Sequence, residues 1–425
     1  MKPLAYFLLL VASTFMSAQV TDYHSHCIPQ SYISLLTEHE MLLDEGFPLP
    51  EWSKDAHLKF MSDAGISSSV LTLPAPHPFF GNQTECNAVC RRLNEEMADI
   101  VSSKTSGDES PFSFCATLPL PDVDAAIVEA CYALDTLGAV GVKLATNVYG
   151  QYLGDSVLDP LMKYLSERHA LVILHPHKPY PVNTSVMLQT PLAMQEYLSE
   201  TTRAVCNMIS RNVLARYPNM HVVVPHCGAY LPIALQRMQS LYPVMRKNGL
   251  VQEIDFQQNI NCLWFDLAGS PSDQTIQSLL SITTSDHLLY GSDYPYVAPE
   301  VIVANMPRMQ KWLSNDRSGL ITRIAEICIN EGHMQAYLNA AQKVATESVA
   351  KEPGVICIFP MQVKDEPNTI RIAEIYRDND AYQSHLKTAH FLDYKQSTLH
   401  MVKSLRLIDT EPLNPQTMPL IFQKL

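Results

Sequence analysis

Residues 20–26, VTDYHSH, form a short β-branched run that ends in two histidines two positions apart, and the same phrase recurs down the chain. Apolar runs closing in polar or turn residues follow at SSVLTLPAP (68–76), FSFCATLPL (112–120), AVGVKLATN (139–147), ALVILHPH (170–177), HVVVPHCG (221–228), CLWFDLAG (262–269) and HLLYGSDYPY (287–296). Between them lie stretches of helical periodicity such as CNAVCRRLNEEMADIV and TTRAVCNMISRNVLARY. Strand and helix in alternation predict a parallel sheet. Eight such units match the size of a (β/α)8 TIM barrel, an α/β fold whose chemistry sits at the C-terminal ends of the strands. A doubly wound open sheet is the alternative, but it would spread those ends along a line. The polar ends are what a ring would gather: His24 and His26 close the first run, His175 and His177 the fifth, His226 the sixth and Asp293 the eighth.

His24 and His26 are two apart on a strand, so the period-2 alternation sends both imidazoles to one face. Two nitrogen ligands at that spacing are half of a metal site. With His175 and Asp293 they make three neutral imidazoles and a carboxylate, a set suited to one divalent ion, Zn2+ first, with a position left for water or substrate. A base beside that position must manage protons, and His226 takes this role because histidine titrates nearest working pH. His175 and His177 compete for one ligand place; His175 directly ends the buried run, which leaves His177 as a substrate contact. His77 in PAPHPFF and Trp264 in the seventh run are candidate pocket residues, and Gly228 and Asp266 are candidates for the turn and for holding a ligand in place. Lys143 is a conceivable bridge to a second metal if carbamylated, or an ion-paired barrel residue. Cys27 and Cys227 adjoin His26 and His226 with the opposite parity, which turns them away from the site.

The chain has 425 residues, 47% hydrophobic and 17% charged, which excludes a mainly disordered protein and calls for two domains. A net charge of −13 argues against a nucleic-acid partner. Residues 1–18 read as an export signal, one Lys before an apolar run and small residues near Ala18; that run is too short to span a bilayer, so no membrane span is expected after processing. Secretion or a periplasmic location follows if the signal is cleaved, and a cytoplasmic one otherwise. Ten cysteines show no scaffold spacing, and Cys86 and Cys90, four apart on a helix, are read as core. Asn82-Gln-Thr and Asn183-Thr-Ser have the form of glycosylation acceptors.

DYHSH, MSDAGISSSVLTLPAP, LGAVGVKLATNVYGQYLGD, LVILHPH, VVVPHCGAYLP and LLYGSDYPY together resemble the amidohydrolase-related family that includes aminocarboxymuconate-semialdehyde decarboxylase, over residues 20 to about 300. The resemblance implies a metal held by His24, His26, His175 and Asp293, with His226 as catalytic acid and base. It implies a metal-dependent decarboxylase of a small aromatic or unsaturated carboxylic acid, or alternatively a hydrolase of a lactone or cyclic amide. Two departures stand out. The family's His-x-Gly-Gly pattern reads His226-Cys227-Gly228-Ala229, and Ser31–Trp52 holds no Arg or Lys, where the semialdehyde decarboxylase uses arginine on its substrate's carboxylates.

Beyond the barrel, assigned to 19–315, SNDRSG (314–319) reads as a connector. ITRIAEICIN, GHMQAYLNAAQKVATESVAK, PGVICIFPMQV, NTIRIAEIYR, DAYQSHLKTAHFLDYKQS and MVKSLRLID then give a βαββαβ order, a ferredoxin-like α+β domain assigned to 320–415. The Lys351–Gly354 turn and the His385…Ala389-His390-Phe391 run resemble the antibiotic biosynthesis monooxygenase domain, a dimeric α+β barrel. That resemblance implies a homodimer, or cofactor-free oxygenation with His385 and His390 as polar candidates.

Overall fold

The computed structural model describes residues 20–43, 46–103, 110–183, 185, 190–313, 320–352 and 354–411. The expected export signal and the connector lie outside these residues. The chain divides into two compact units with the break after Leu313.

In the first unit eight parallel strands run in sequential order: β1 (Val20–His26), β2 (Ile66–Thr72), β3 (Phe112–Thr117), β4 (Gly141–Ala145), β5 (Leu171–His175), β6 (His221–Val224), β7 (Leu263–Asp266) and β8 (Leu288–Leu289). The strand end after β8 returns to β1. Tyr23 donates its backbone N–H to Tyr290 O at 2.9 Å and His26 donates to Tyr294 O at 2.8 Å, which closes the cylinder. The strands are apolar on both faces because both are covered. Val142, Leu144, Val172, Leu174, Val222 and Val224 pack into the outer core under the helices, while the alternate residues Val70, Cys115, Ile173 and Val223 fill the interior. His175 continues the parity of Ile173 and so points inward at the rim.

Polar side chains start the helices that return the chain. Ser53, Asp122 and Ser272 accept the N–H three residues on, at 3.2, 3.0 and 3.2 Å. Asn82, the first glycosylation-acceptor asparagine, caps Gln83–Ser102 in the same way through Glu85 N at 3.3 Å. Cys86 and Cys90 are buried and free, with their sulfurs 3.9 Å apart.

The second unit is an antiparallel sheet of β9 (Ile321–Ile329), β10 (Val355–Gln362), β11 (Thr369–Tyr376) and β12 (Val402–Thr410), in the spatial order β10-β11-β9-β12. This is the ferredoxin-like arrangement expected from βαββαβ. Ala325, Ile327, Ile370 and Ile372 form its core with Tyr337 and Ala341 of the helix Met334–Lys351. The second helix of the pattern is in fact two, Asn379–His385 and Ala389–Thr398. Thr388 interrupts it, because its hydroxyl accepts from Phe391 N at 3.4 Å and starts a new helix. His385 and His390 both donate to Glu352, His385 Nδ1 at 3.0 Å and His390 Nε2 at 2.6 Å, and so bind both short helices to the end of the long one. In Glu352→Ala two largely buried imidazole N–H groups lose their acceptor, at a cost of about 1–3 kcal/mol. Differential scanning calorimetry of the full chain should show the lower melting temperature.

Candidate metal centre and its cavity

Four segments bring their polar ends to one rim of the barrel. The ligand atoms of His24, His26 and His175 lie within 4.8 Å of one another, and so do those of His24, His226 and Asp293. Asp293 is the common neighbour: Oδ1 is 3.2 Å from His26 Nε2 and 3.6 Å from His24 Nε2, and Oδ2 is 3.7 Å from His226 Nε2. Ligands about 2.1 Å from a zinc-sized ion in tetrahedral array sit about 3.4 Å apart, so this spacing matches a cation's first shell.

The outer nitrogens fix the inner ones. His24 Nδ1 donates to Asp266 Oδ2 at 2.8 Å, and His175 Nδ1 to Pro176 O at 2.9 Å. His26 Nδ1 lies 3.0 Å from Thr72 Oγ1, whose own proton goes to Ser25 O, so here too the ring donates outward. This network places three Nε2 lone pairs toward one point. His24 Nε2 is buried with no hydrogen-bond partner, a rare condition that a bound cation would satisfy.

The electrostatics agree. Burial opposes protonation of His24, yet Asp266 foremost, with Asp293 and Asp22, lifts its pKa to about 9; these carboxylates call for positive charge at this point. Burial pushes His26 down to about 4 and His175 well below the usual imidazole value, so both are neutral, as ligation requires. Burial would raise Asp293, but its neighbours, His226 foremost, hold it well below the ordinary carboxylate range. The chain's own residues therefore fit one divalent ion.

Two residues organise this cluster from behind. Asp266, at the end of β7, accepts three N–H groups: His24 Nδ1 on Oδ2, and the backbones of His226 and Ala268 on Oδ1 at 3.0 Å each. Asp22 accepts the backbone N–H of His24 and of Ser292, both at 3.0 Å, tying β1 to the segment that carries Asp293. Gly291 allows that segment to come close, since a Cβ there would lie 2.8 Å from His24 Cβ. The motif DYHSH contains Asp22, but only the closure of β8 against β1 reveals its partner.

The turn after β6 departs from strand geometry. His226, Cys227 and Ala229 all have positive φ, at 54°, 55° and 53°. Strand parity therefore fails, and Cys227, expected to turn away, lines the cavity beside His226. Ala229 holds φ 53°, ψ −126°, a conformation suited to the glycine of the family pattern. Relief of about 1–3 kcal/mol of strain, less about 0.5–1 for glycine's looser unfolded chain, predicts that Ala229→Gly raises stability by on the order of 1 kcal/mol. A higher urea midpoint with an unchanged slope is the expected reading.

Above the cluster opens a cavity of about 410 Å³ whose floor includes His26, His175, His226 and Asp293. Three expected pocket residues are not among those lining it. Trp264, second in β7, lies toward the opposite end of the barrel, stacked 4.7 Å from His287 and near His221, where β6 begins. His77 is buried with Nε2 3.1 Å from Leu120 O, and His177 turns Nδ1 to Lys178 O at 3.3 Å. Lys143 is buried, its Nζ donating to Pro74 O at 3.4 Å. The cavity wall that sequence periodicity did not disclose comes from the helix Gln30–Glu38 and the irregular chain after it.

Residues 21–310 match the amidohydrolase family model, and the chain belongs to that family. Residues 320–397 match the antibiotic biosynthesis monooxygenase model. The chain is 31% identical over 310 residues to the decarboxylase yanB of Aspergillus niger, covering 69% of this chain and 81% of that protein. It is 31% identical over 265 residues to the 6-methylsalicylic acid decarboxylase of Penicillium expansum, covering 61% and 79%. A solved amidohydrolase II structure superimposes with a TM-score of 0.62 at 30% identity, covering 70% of this chain and 93% of its own. Fold, cluster and kinship define a metal-dependent amidohydrolase-superfamily enzyme, a carboxy-lyase rather than a hydrolase.

Proposed function

We propose that the barrel decarboxylates a small hydroxylated aromatic acid, with His24, His26, His175 and Asp293 holding one Zn2+ and His226 moving the proton. One observation carries this reading: the histidines and the carboxylate that line the cavity gather at its floor, and no Lys or Arg lines it among the described residues. A single carboxylate thus has one place to bind, at the cation, while the ring meets apolar walls. When bound, the ion supplies positive charge that draws the carboxylate and a neighbouring hydroxyl oxygen to the floor.

The rest is the work of this chain. The carbon–carbon bond to the carboxyl breaks, its electron pair stays on the ring carbon, CO2 leaves and that carbon takes a proton. His226, with Nε2 3.7 Å from Asp293 Oδ2 and its ring partly open to the cavity, is placed to deliver it and to recover a proton from solvent. Asp266 holds His226 at this height through its backbone. The apolar walls lower the polarity around the floor, which strengthens each charge interaction there.

The test is CO2 release from a panel of hydroxybenzoates by the full chain, with bound metal measured by mass spectrometry. Turnover with about one zinc per chain supports the reading; release of no CO2 from any acid by metal-loaded protein overturns it. Manganese in place of zinc would revise the ion alone. We also infer a homodimer paired through the sheet of the second unit, whose outward Phe359 and Met361 are 60% and 40% exposed. Light scattering that gives the mass of one chain at micromolar concentration would exclude it. A cut near residue 18 would leave β1 whole, which supports the export reading; an intact N-terminus in protein from its native host would count against it.

A further inference from the structure

The cavity is larger than one ring requires. At about 410 Å³ it falls in the range of clefts that take drug-sized ligands, about 300–1,000 Å³. Its floor is the cation cluster, and from there a path of aromatic rings leads outward: the Tyr296 ring lies 5.4 Å from His26, and Phe47 lies 5.8 Å from Tyr296. Beside this path the wall is aliphatic, made of Leu36, Met41, Leu42 and Leu49. Leu36, Met41 and Leu49 are seated in a small hydrophobic cluster with Tyr32, Leu35 and Leu73, so this wall is built into the fold. Leu42 and Phe47 stay 41% and 43% exposed at the mouth, more apolar surface than an empty cleft benefits from showing.

Among the described residues no Lys or Arg lines this wall to pair with an anionic substituent. The chain from Ser31 to Trp52 contains no Lys or Arg, and an unpaired carboxylate against this wall would keep a large desolvation cost. We infer that the wall binds an apolar substituent of the substrate: the acid is a hydroxybenzoate carrying an alkyl chain of several carbons, not a bare ring or a dicarboxylate. This rests on the decarboxylase reading for the acid group, whereas the alkyl subsite rests on the wall itself.

The two can be tested apart. Alkylphenols, which lack the carboxylate, are titrated by calorimetry into the metal-free full chain, with methyl, propyl and pentyl members. The expected Kd falls about fourfold per added methylene until the chain reaches the mouth. In the Leu42→Arg and Phe47→Ser variants, both at exposed mouth positions that tolerate change, the slope with chain length should flatten. In parallel, kcat/KM of the metal-loaded enzyme on 2-hydroxy-6-alkylbenzoates should climb along the same series. Affinity independent of chain length overturns the inference, as does a preference for a dicarboxylic substrate. Graded phenol binding without CO2 release from any acid would instead overturn the decarboxylase reading and leave the apolar subsite in place.

Discussion

His226→Ala should lower kcat by about 10²–10⁴-fold while leaving the divalent ion at its wild-type stoichiometry. The distances set this expectation. His24 Nε2 and His26 Nε2 lie 3.6 and 3.2 Å from Asp293 Oδ1 with their outer nitrogens anchored, whereas His226 approaches the other oxygen at 3.7 Å and its Nδ1 has no partner. An imidazole whose outer nitrogen is unpaired is placed to exchange protons with a substrate; one locked at its outer nitrogen is oriented as a metal ligand would be. The side chain of His226 is also 18% exposed, against 1% for His24, so it meets what enters the cavity. Inductively coupled plasma mass spectrometry on the variant, beside its CO2 release rate, checks both halves. Loss of the metal in proportion to activity would make His226 a ligand.

The strands and the convergence of His24, His26, His175, His226 and Asp293 were legible because two periodicities suffice for them. Alternation chose which residues of each run face inward, and the end of each apolar run marked the rim. Trp264 shows the limit of that reasoning: its strand is right but its height is wrong, since parity says which way a residue points and not how far along the barrel it sits. Cys227 fails for another reason, because a left-handed turn replaces the strand one residue too early for parity to hold. Asp266 carried only a generic supporting role in the sequence, as its partner His24 lies 242 positions away and the hydrogen bond exists only once the barrel is closed. The wall of Leu36, Met41 and Leu49 had a negative signal alone, the lack of any Lys or Arg between Ser31 and Trp52, and its place over the floor had to await the fold. In the second unit, the element order predicted the sheet, and the one error, a helix read as continuous, arose from a capping threonine within an otherwise helical pattern.

The Asp266→Asn variant should weaken metal binding by about 10–100-fold and reduce turnover with it, although none of the four proposed ligands is altered. The carboxylate accepts on both oxygens, from His24 Nδ1 on one side and from two backbone N–H groups on the other. A carboxamide has a single acceptor oxygen. If that oxygen faces the backbone, the amide NH2 meets His24 Nδ1 and favours the tautomer whose proton sits on Nε2, the atom that must offer a lone pair to the ion. If the oxygen faces His24, the NH2 opposes the N–H groups of His226 and Ala268 and displaces the turn that carries His226. One orientation therefore harms the metal and the other harms His226, and the two are separable by measurement. Competitive chelator titration reports the affinity, and kcat under saturating metal reports what remains once binding is restored. Affinity and kcat both within twofold of wild type would show that Asp266 is merely part of the packing beneath the site.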